Sequence, residues 1–178
     1  VNWTGQIESL TNNECNSVPV FDGARFFAVG GVCANESNVG YAHQIIDVSN
    51  YAASIDSGNY SVLFSAFMRA YATNNDKPEM YVEFLNQNQS LISTTDLISN
   101  LTATWILKFL QVLIPPGTRS LKVILKGTRL AGSDNDSYFD NINVQLITQQ
   151  SCPTCIGSQN NFTDSDGDGF CSVIDCND

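Results

Sequence analysis

Apolar and polar residues alternate with a period of two along most of this chain. In VLFSAFM (62–68), Val62, Phe64, Ala66 and Met68 fall on one side, and Leu63, Ser65 and Phe67 on the other. SLKVILKG (120–127) sets Leu121, Val123 and Leu125 against Lys122 and Lys126. NINVQL (141–146) sets Ile142, Val144 and Leu146 against Asn141, Asn143 and Gln145. Successive side chains of a strand point to opposite faces, so this pattern predicts half-buried strands. RFFAVGGV (25–32) and MYVEFL (80–85) read as further strands. Turn-forming clusters separate these runs: DSGN (56–59), TNNDKP (73–78), NQNQS (86–90), PPGT (115–118) and AGSDNDS (131–137). Many short strands between regularly spaced turns predict an all-β chain, an antiparallel sandwich.

Three stretches are less plain. ATWILKFLQVLI (103–114) fits an amphipathic helix through Trp105, Phe109 and Val112, or a strand with Trp105, Leu107 and Phe109 on one face. The strand is preferred because its surroundings are strands, and Pro115-Pro116 ends either element. DVSNYAASIDSG (47–58) has room for one helical turn that Ser49 could cap. VNWTGQIESL (1–10) suits a strand in its own sheet or in a neighbouring subunit's.

After Leu146 the alternation stops. QQSCPTCIGSQNN (149–161) is polar, small and aperiodic, and leads into TDSDGDGFCSVIDCND. The chain therefore divides into a β-sandwich over residues 1–148 and a Cys-rich linker with an Asp-rich loop over 149–178.

Composition refines this picture. Hydrophobic residues make up 43 % and charged residues 15 %, enough to build a packed core. The net charge is −10; residues 152–178 hold five aspartates and no base, and the rest sets 13 acids against 8 bases. Phosphate recognition needs clustered Lys and Arg, so a nucleic-acid partner is not expected. No apolar run approaches the roughly 20 residues of a membrane span. A start at Val1, with no basic-then-apolar leader, reads as a mature or excised piece of a longer precursor. Six cysteines, an even number, fit an oxidising, extracellular setting at large or at a cell surface. Seven Asn-x-Ser/Thr sequons begin at Asn2, Asn35, Asn59, Asn88, Asn100, Asn135 and Asn161, and mark candidate glycosylation sites.

The acidic end has the spacing of a calcium loop. With Asp164 as position 1, Asp166 is 3, Asp168 is 5, Gly169 is 6, Phe170 is 7 and Asp175 is 12. Alternate carboxylates converge as the chain curls, the glycine allows the sharp turn, and position 7 contributes only its carbonyl oxygen. Ca2+ is the expected cofactor, held by Asp164, Asp166, Asp168, Phe170 and Asp175. Position 12 is Asp rather than Glu and no helix can follow it, so the loop reads as a brace rather than a sensor. Two other readings are a solvated acidic tail and a zinc site built from Cys152, Cys155, Cys171 and Cys176. Pairing among those four cysteines is open, with Cys152–Cys171 and Cys155–Cys176 preferred; Cys15–Cys33 follows by exclusion.

HQIIDVSNYAASIDSGNYSVLFSAFMRAY, VEFLNQN and IPPGTRSLKVILKGTRLAGSDNDSYFDNINVQL resemble the galactose-binding-like jelly-roll domains, relatives in shape of many carbohydrate-binding modules. The DxDxDG tail is similar to the aspartate repeats of thrombospondin type 3 domains and of putative metal-binding motifs. The resemblance implies a jelly-roll sandwich with a calcium loop appended. It also implies a possible second calcium site, since in such domains an acid beginning the last strand can ligate the ion. Asp140 would take that role, with Asp22 or Glu8 as partners.

Two functions are then expected. The first is a secreted, non-catalytic structural or adhesive module, stabilised by calcium and forming a unit of a larger extracellular protein or filament, with neighbouring subunits or domains as partners. The alternative is a carbohydrate-binding module with glycans as partners. That role would need an aromatic platform from among Trp3, Tyr41, Tyr71, Tyr81 and Trp105, with polar help from Arg69, Asn74, Asp76 or Arg129. Arg69 and Arg129 could instead pair with Asp76 or Asp136. An enzyme is not expected: the single histidine, His43, has no nucleophile motif beside it.

Overall fold

A computed structural model describes residues 3–34, 36–73 and 75–148. Eleven strands occupy this part: β1 (Thr4–Gly5), β2 (Ile7–Leu10), β3 (Phe26–Val29), β4 (Val39–Asp47), β5 (Tyr60–Arg69), β6 (Asp76–Leu85), β7 (Leu91–Thr94), β8 (Ile98–Ser99), β9 (Ile106–Leu113), β10 (Ser120–Arg129) and β11 (Tyr138–Thr148). They form two antiparallel sheets. The first runs β1-β4-β10-β6-β7, with β8 also on β6; the second runs β2-β3-β11-β5-β9. The result is a β-sandwich of the jelly-roll kind. The aspartate loop, Cys152, Cys155, Cys171 and Cys176, and the sequon asparagines Asn2, Asn35 and Asn161 lie outside the described residues, as does Asn74.

The predicted faces are the observed ones. Val62, Phe64, Ala66 and Met68 of β5 face Met80, Val82 and Phe84 of β6 and Leu121, Val123 and Leu125 of β10 in one buried cluster. Ile142, Val144 and Leu146 pack against it from β11. Each such side chain removed from water contributes about 1.5–3 kcal/mol before entropy is counted, which is why the period of two is so strictly kept. A second cluster gathers Leu10, Val18, Phe26, Ala28, Val32 and Tyr138 at one end, with Trp105 against it. Gly127 lets β10 pass close to β3: a Cβ there would stand 2.0 Å from the Val29 carbonyl oxygen.

The ambiguous 103–114 stretch is a strand, β9, paired with β5 from Ile106 to Leu113. Trp105 precedes it and turns into the second cluster, its ring edge-on to Phe26, while Leu107 and Phe109 stand exposed. The face expected to unite these three is thus split. Residues 4–10 serve both sheets of their own domain, β1 on β4 and β2 on β3. Two local expectations are corrected. The TNNDKP turn is shorter than expected, because Asp76 to Pro78 already belong to β6 and pair with β10. Ser49 does not cap the helical turn: it lies inside a 3-10 segment (Ser49–Tyr51) ahead of α1 (Ala52–Asp56), and its N–H donates to Asp47 Oδ1 at 2.8 Å. The N-cap positions are Val48 and Tyr51, neither with a side-chain cap bond. The disulfide expected by exclusion, Cys15–Cys33, is present and ties the β2–β3 connection to the loop after β3.

Candidate functional site

The outward face of the first sheet carries a mixed set of aromatic, charged and aliphatic side chains. Its register is continuous across β4, β10 and β6. Reading across those three strands, the outward rows are Val39–Thr128–Lys77, Tyr41–Lys126–Glu79, His43–Ile124–Tyr81, Ile45–Lys122–Glu83 and Asp47–Ser120–Leu85. Neighbouring strands lie about 4.8 Å apart, so β4 and β6 side chains face each other over roughly 10 Å with β10 between them. Ile124 is 4 % exposed and makes a floor. Tyr41, 48 % exposed, stands on the β4 side, and half-buried Tyr81 stands on the β6 side.

The polar groups around this floor are fixed by one another. The Glu79 carboxylate is 2 % exposed, although it sits on the outer face, because lysines close over it. Lys77 Nζ lies 2.6 Å from Oε1 and Lys126 Nζ 2.8 Å from Oε2, and Thr128 Oγ1 donates to Oε2 at 3.3 Å. Burial pushes the Glu79 carboxyl up, but Lys126 and Lys77 outweigh it and leave it below the usual range. Glu79 in turn raises Lys126. One row pair further along, Lys122 Nζ meets Glu83 Oε2 at 3.1 Å. Burial, with Glu83 and Tyr41 close by, pushes the Tyr81 hydroxyl up as well. The Lys–Glu contacts hold these charged groups in defined places between the two tyrosines. Such a face can stack on the C–H side of a sugar ring and bond its hydroxyls with paired donors and acceptors.

The other aromatic candidates are used differently. Trp105 donates from Nε1 to the Pro19 carbonyl at 3.0 Å and lies under the Arg69 guanidinium, 5.8 Å from its centroid. Trp3 packs on Phe27, with centroids 6.4 Å apart. Tyr71 is exposed in the β5–β6 connection, apart from the outward rows of β4, β10 and β6. The β5–β6 and β10–β11 connections meet: the Leu130 and Ala131 N–H groups donate to the Asn75 carbonyl at 2.9 and 2.8 Å. Yet Arg69 and Arg129 do not pair with Asp76 or Asp136. Arg69 Nε donates to the Ala70 carbonyl, and Arg129 donates to the Ser133 carbonyl and Asn38 Oδ1.

The acids proposed for a second ion serve as loop anchors. The Glu8 carboxylate accepts N–H bonds from Val32, Cys33 and Ala34 at 2.8, 3.1 and 3.1 Å. Asp140 accepts from Phe21 and Asp22 at 3.2 Å each and from Asn141 at 2.8 Å. Asp22 is drawn near Asp140 through Asn141, whose Nδ2 donates to it at 3.4 Å, whereas Glu8 is committed to a different loop. Among the described residues no three His, Cys, Asp or Glu side chains converge as a metal site. Four of the sequon asparagines can be placed. Asn59 and Asn88 are exposed. Asn100 and Asn135 are interior: Asn100 Nδ2 donates to the Met68 and Thr104 carbonyls, and Asn135 Nδ2 to those of Ser37 and Gly127.

No sequence-family model and no curated protein matches this chain. Solved structures do. A protein described as family 16 carbohydrate-binding module-2 is similar over 80 % of this chain and 89 % of its own, at 12 % identity and TM-score 0.54. The CBM22-1 xylan-binding domain of Paenibacillus barcinonensis Xyn10C is similar over 83 % of this chain and 87 % of its own, at 13 % identity and TM-score 0.50. The enzymatically active domain of bacteriophage CBA120 tailspike protein 4 is similar over 82 % of this chain at 19 % identity and TM-score 0.53; this chain spans 19 % of that one. At these identities the likeness establishes the fold.

Proposed function

We propose that the chain is a carbohydrate-binding module that holds an extended glycan across the outer face of its first sheet. The observation that carries this reading is the pair of tyrosines, Tyr41 and Tyr81, on opposite sides of the Ile124 floor, set among fixed Lys–Glu pairs. The fold shared with carbohydrate-binding modules supports it, and favours glycan recognition over the structural and adhesive role expected from the sequence. One neighbour is described as xylan-binding, which makes xylan the first polysaccharide to try. The test is affinity electrophoresis of the full chain in gels containing xylan, mixed-linkage glucan, mannan or a uronic-acid polymer. Retardation by at least one, lost in Tyr41→Ala, supports the reading; free migration in all of them removes it.

The extracellular setting belongs to the same proposal and is supported by the Cys15–Cys33 disulfide. So does Ca2+ binding by Asp164, Asp166, Asp168, Phe170 and Asp175, supported by their spacing alone.

A further inference from the structure

Asp76 is the first residue of β6 and pairs across the sheet with Arg129 at the end of β10. It is 0 % exposed, and neither carboxylate oxygen has a hydrogen-bond partner in good geometry, the Asp136 and Leu130 amides being the donors close to it. Among the described residues it joins no ion pair. Arg129, the cation whose charge acts on it, has its guanidinium donors turned to Ser133 and Asn38. Buried carboxylates are almost always paired, well hydrogen-bonded or metal-bound, and two poorly aligned amides leave this one short of partners.

Asp136 stands beside it. Burial and the Asp136 charge push the Asp76 carboxyl up to about 7, with the Asp136 and Leu130 amides and Arg129 pulling the other way. Asp136 is itself held in place. Its neighbours Asn135 and Ser137 are both 0 % exposed and bonded to each other, Ser137 Oγ donating to Asn135 Oδ1 at 2.8 Å. One Asp136 oxygen, Oδ1, accepts the Tyr138 hydroxyl. A proton shared between the two acids would need their oxygens in hydrogen-bond contact, and Asp76 makes no such contact. Two carboxylates close enough to feel one another, but not hydrogen-bonded, suit a cation between them.

We propose that Asp76 and Asp136 bind a calcium ion, with main-chain oxygens of the 130–137 connection and water filling the remaining positions. The donors are all hard oxygens, with no His or Cys among them, which selects Ca2+ over Zn2+. Asp76 immediately precedes Lys77 and Glu79, so the ion braces the end of β6 on which those two residues sit. The site is distinct from the Asp164–Asp175 loop and independent of glycan binding.

Terbium luminescence of the full chain separates the two calcium sites. Tb3+ replaces Ca2+ and is excited through a nearby tyrosine; Tyr138 touches Asp136, whereas residues 149–178 contain no Tyr or Trp. Three proteins are compared after chelation: wild type, Asp76→Asn, and a variant with Asp164, Asp166 and Asp168 all changed to Asn. The loop variant is expected to keep saturable, tyrosine-sensitised emission that Ca2+ displaces, and a calcium-dependent rise in Tm. Asp76→Asn is expected to lose the sensitised emission, or to need at least about tenfold more Tb3+. If Asp76→Asn fails to fold, Asp136→Asn replaces it, and the loop variant still decides. Absence of sensitised emission and of a calcium-dependent Tm shift in the loop variant, or undiminished sensitised emission in the Asp76→Asn or Asp136→Asn protein, overturns the proposal.

Discussion

Lys126 Nζ lies 2.8 Å from Glu79 Oε2, and this ion pair sits on a sheet face that looks outward. The carboxylate is 2 % exposed, while the lysine keeps about a quarter of its surface in water. Lys77 closes over the other oxygen. The face thus holds a carboxylate as buried as one in an interior, closed over by two lysines.

Replacing Glu79 by Gln leaves two lysines adjacent without a counter-charge. Removing one partner of a well-buried pair costs about 3–5 kcal/mol, and the partial exposure of both lysines reduces this to about 1–3 kcal/mol. Urea unfolding of Glu79→Gln should show that loss, together with weaker glycan binding. An unchanged midpoint would mean that the lysines find other partners.

Asp56 and Arg119 make a two-point contact: Nη1 donates to Oδ1 at 3.0 Å and Nη2 to Oδ2 at 2.7 Å, and the Gly117 amide adds a third bond at 2.8 Å. The arginine, then the amide, hold the Asp56 carboxyl at about 2 against its ordinary 3.8. A depressed folded value means that the native state prefers the charged form. The contribution is therefore complete above about pH 4 and is lost as pH falls toward 2. Stability measured against pH should fall over that window in wild type and less steeply in Asp56→Asn; parallel curves would contradict the assignment.

Asn100 and Asn135 carry sequons, yet their amides bond carbonyl oxygens inside the sandwich. Expression in a glycosylating host, followed by peptide mass spectrometry, should find glycan at Asn59 or Asn88 and none at Asn100 or Asn135. Asn135→Ala should cost about 2–3 kcal/mol, because it strands two carbonyls and the Ser137 hydroxyl. Stable folding with glycan on Asn135 would refute the placement.

These asparagines show where sequence reasoning stops. The Asn-x-Ser/Thr pattern records three side chains in order and says nothing of burial, so an asparagine that plugs a loop reads the same as one in solvent. The strand faces were legible because burial imposes a period of two on local sequence: Val62 to Met68 and Leu121 to Leu125 point inward as expected. Lys122 and Lys126 were legible as outward too. That they meet Glu83 and Glu79, and that Tyr41 and Tyr81 flank one floor, depends on the pairing of β4, β10 and β6, which are far apart in the chain. Register between distant strands leaves no local trace. Asp140 and Glu8 were expected, from the resemblance, to help hold a second calcium ion; in the structure both accept backbone N–H groups of nearby loops. Asp76, among the most unusual side chains in the molecule, looked like part of a turn because its burial comes from the connection before β11 folding over it.

The central claim is that Tyr41 and Tyr81 form a sugar platform, and isothermal titration of Tyr41→Ala and Tyr81→Ala with the glycan that retards wild type tests it most directly. Tyr41, nearly half exposed, should lose at least about tenfold in affinity when truncated, with stability changed by less than about 0.5 kcal/mol, and Tyr41→Phe should keep most of the affinity. Tyr81→Ala should lose affinity and some stability together. Wild-type affinity in both alanine variants, with the fold intact, would contradict the account and move the search for a ligand away from this face.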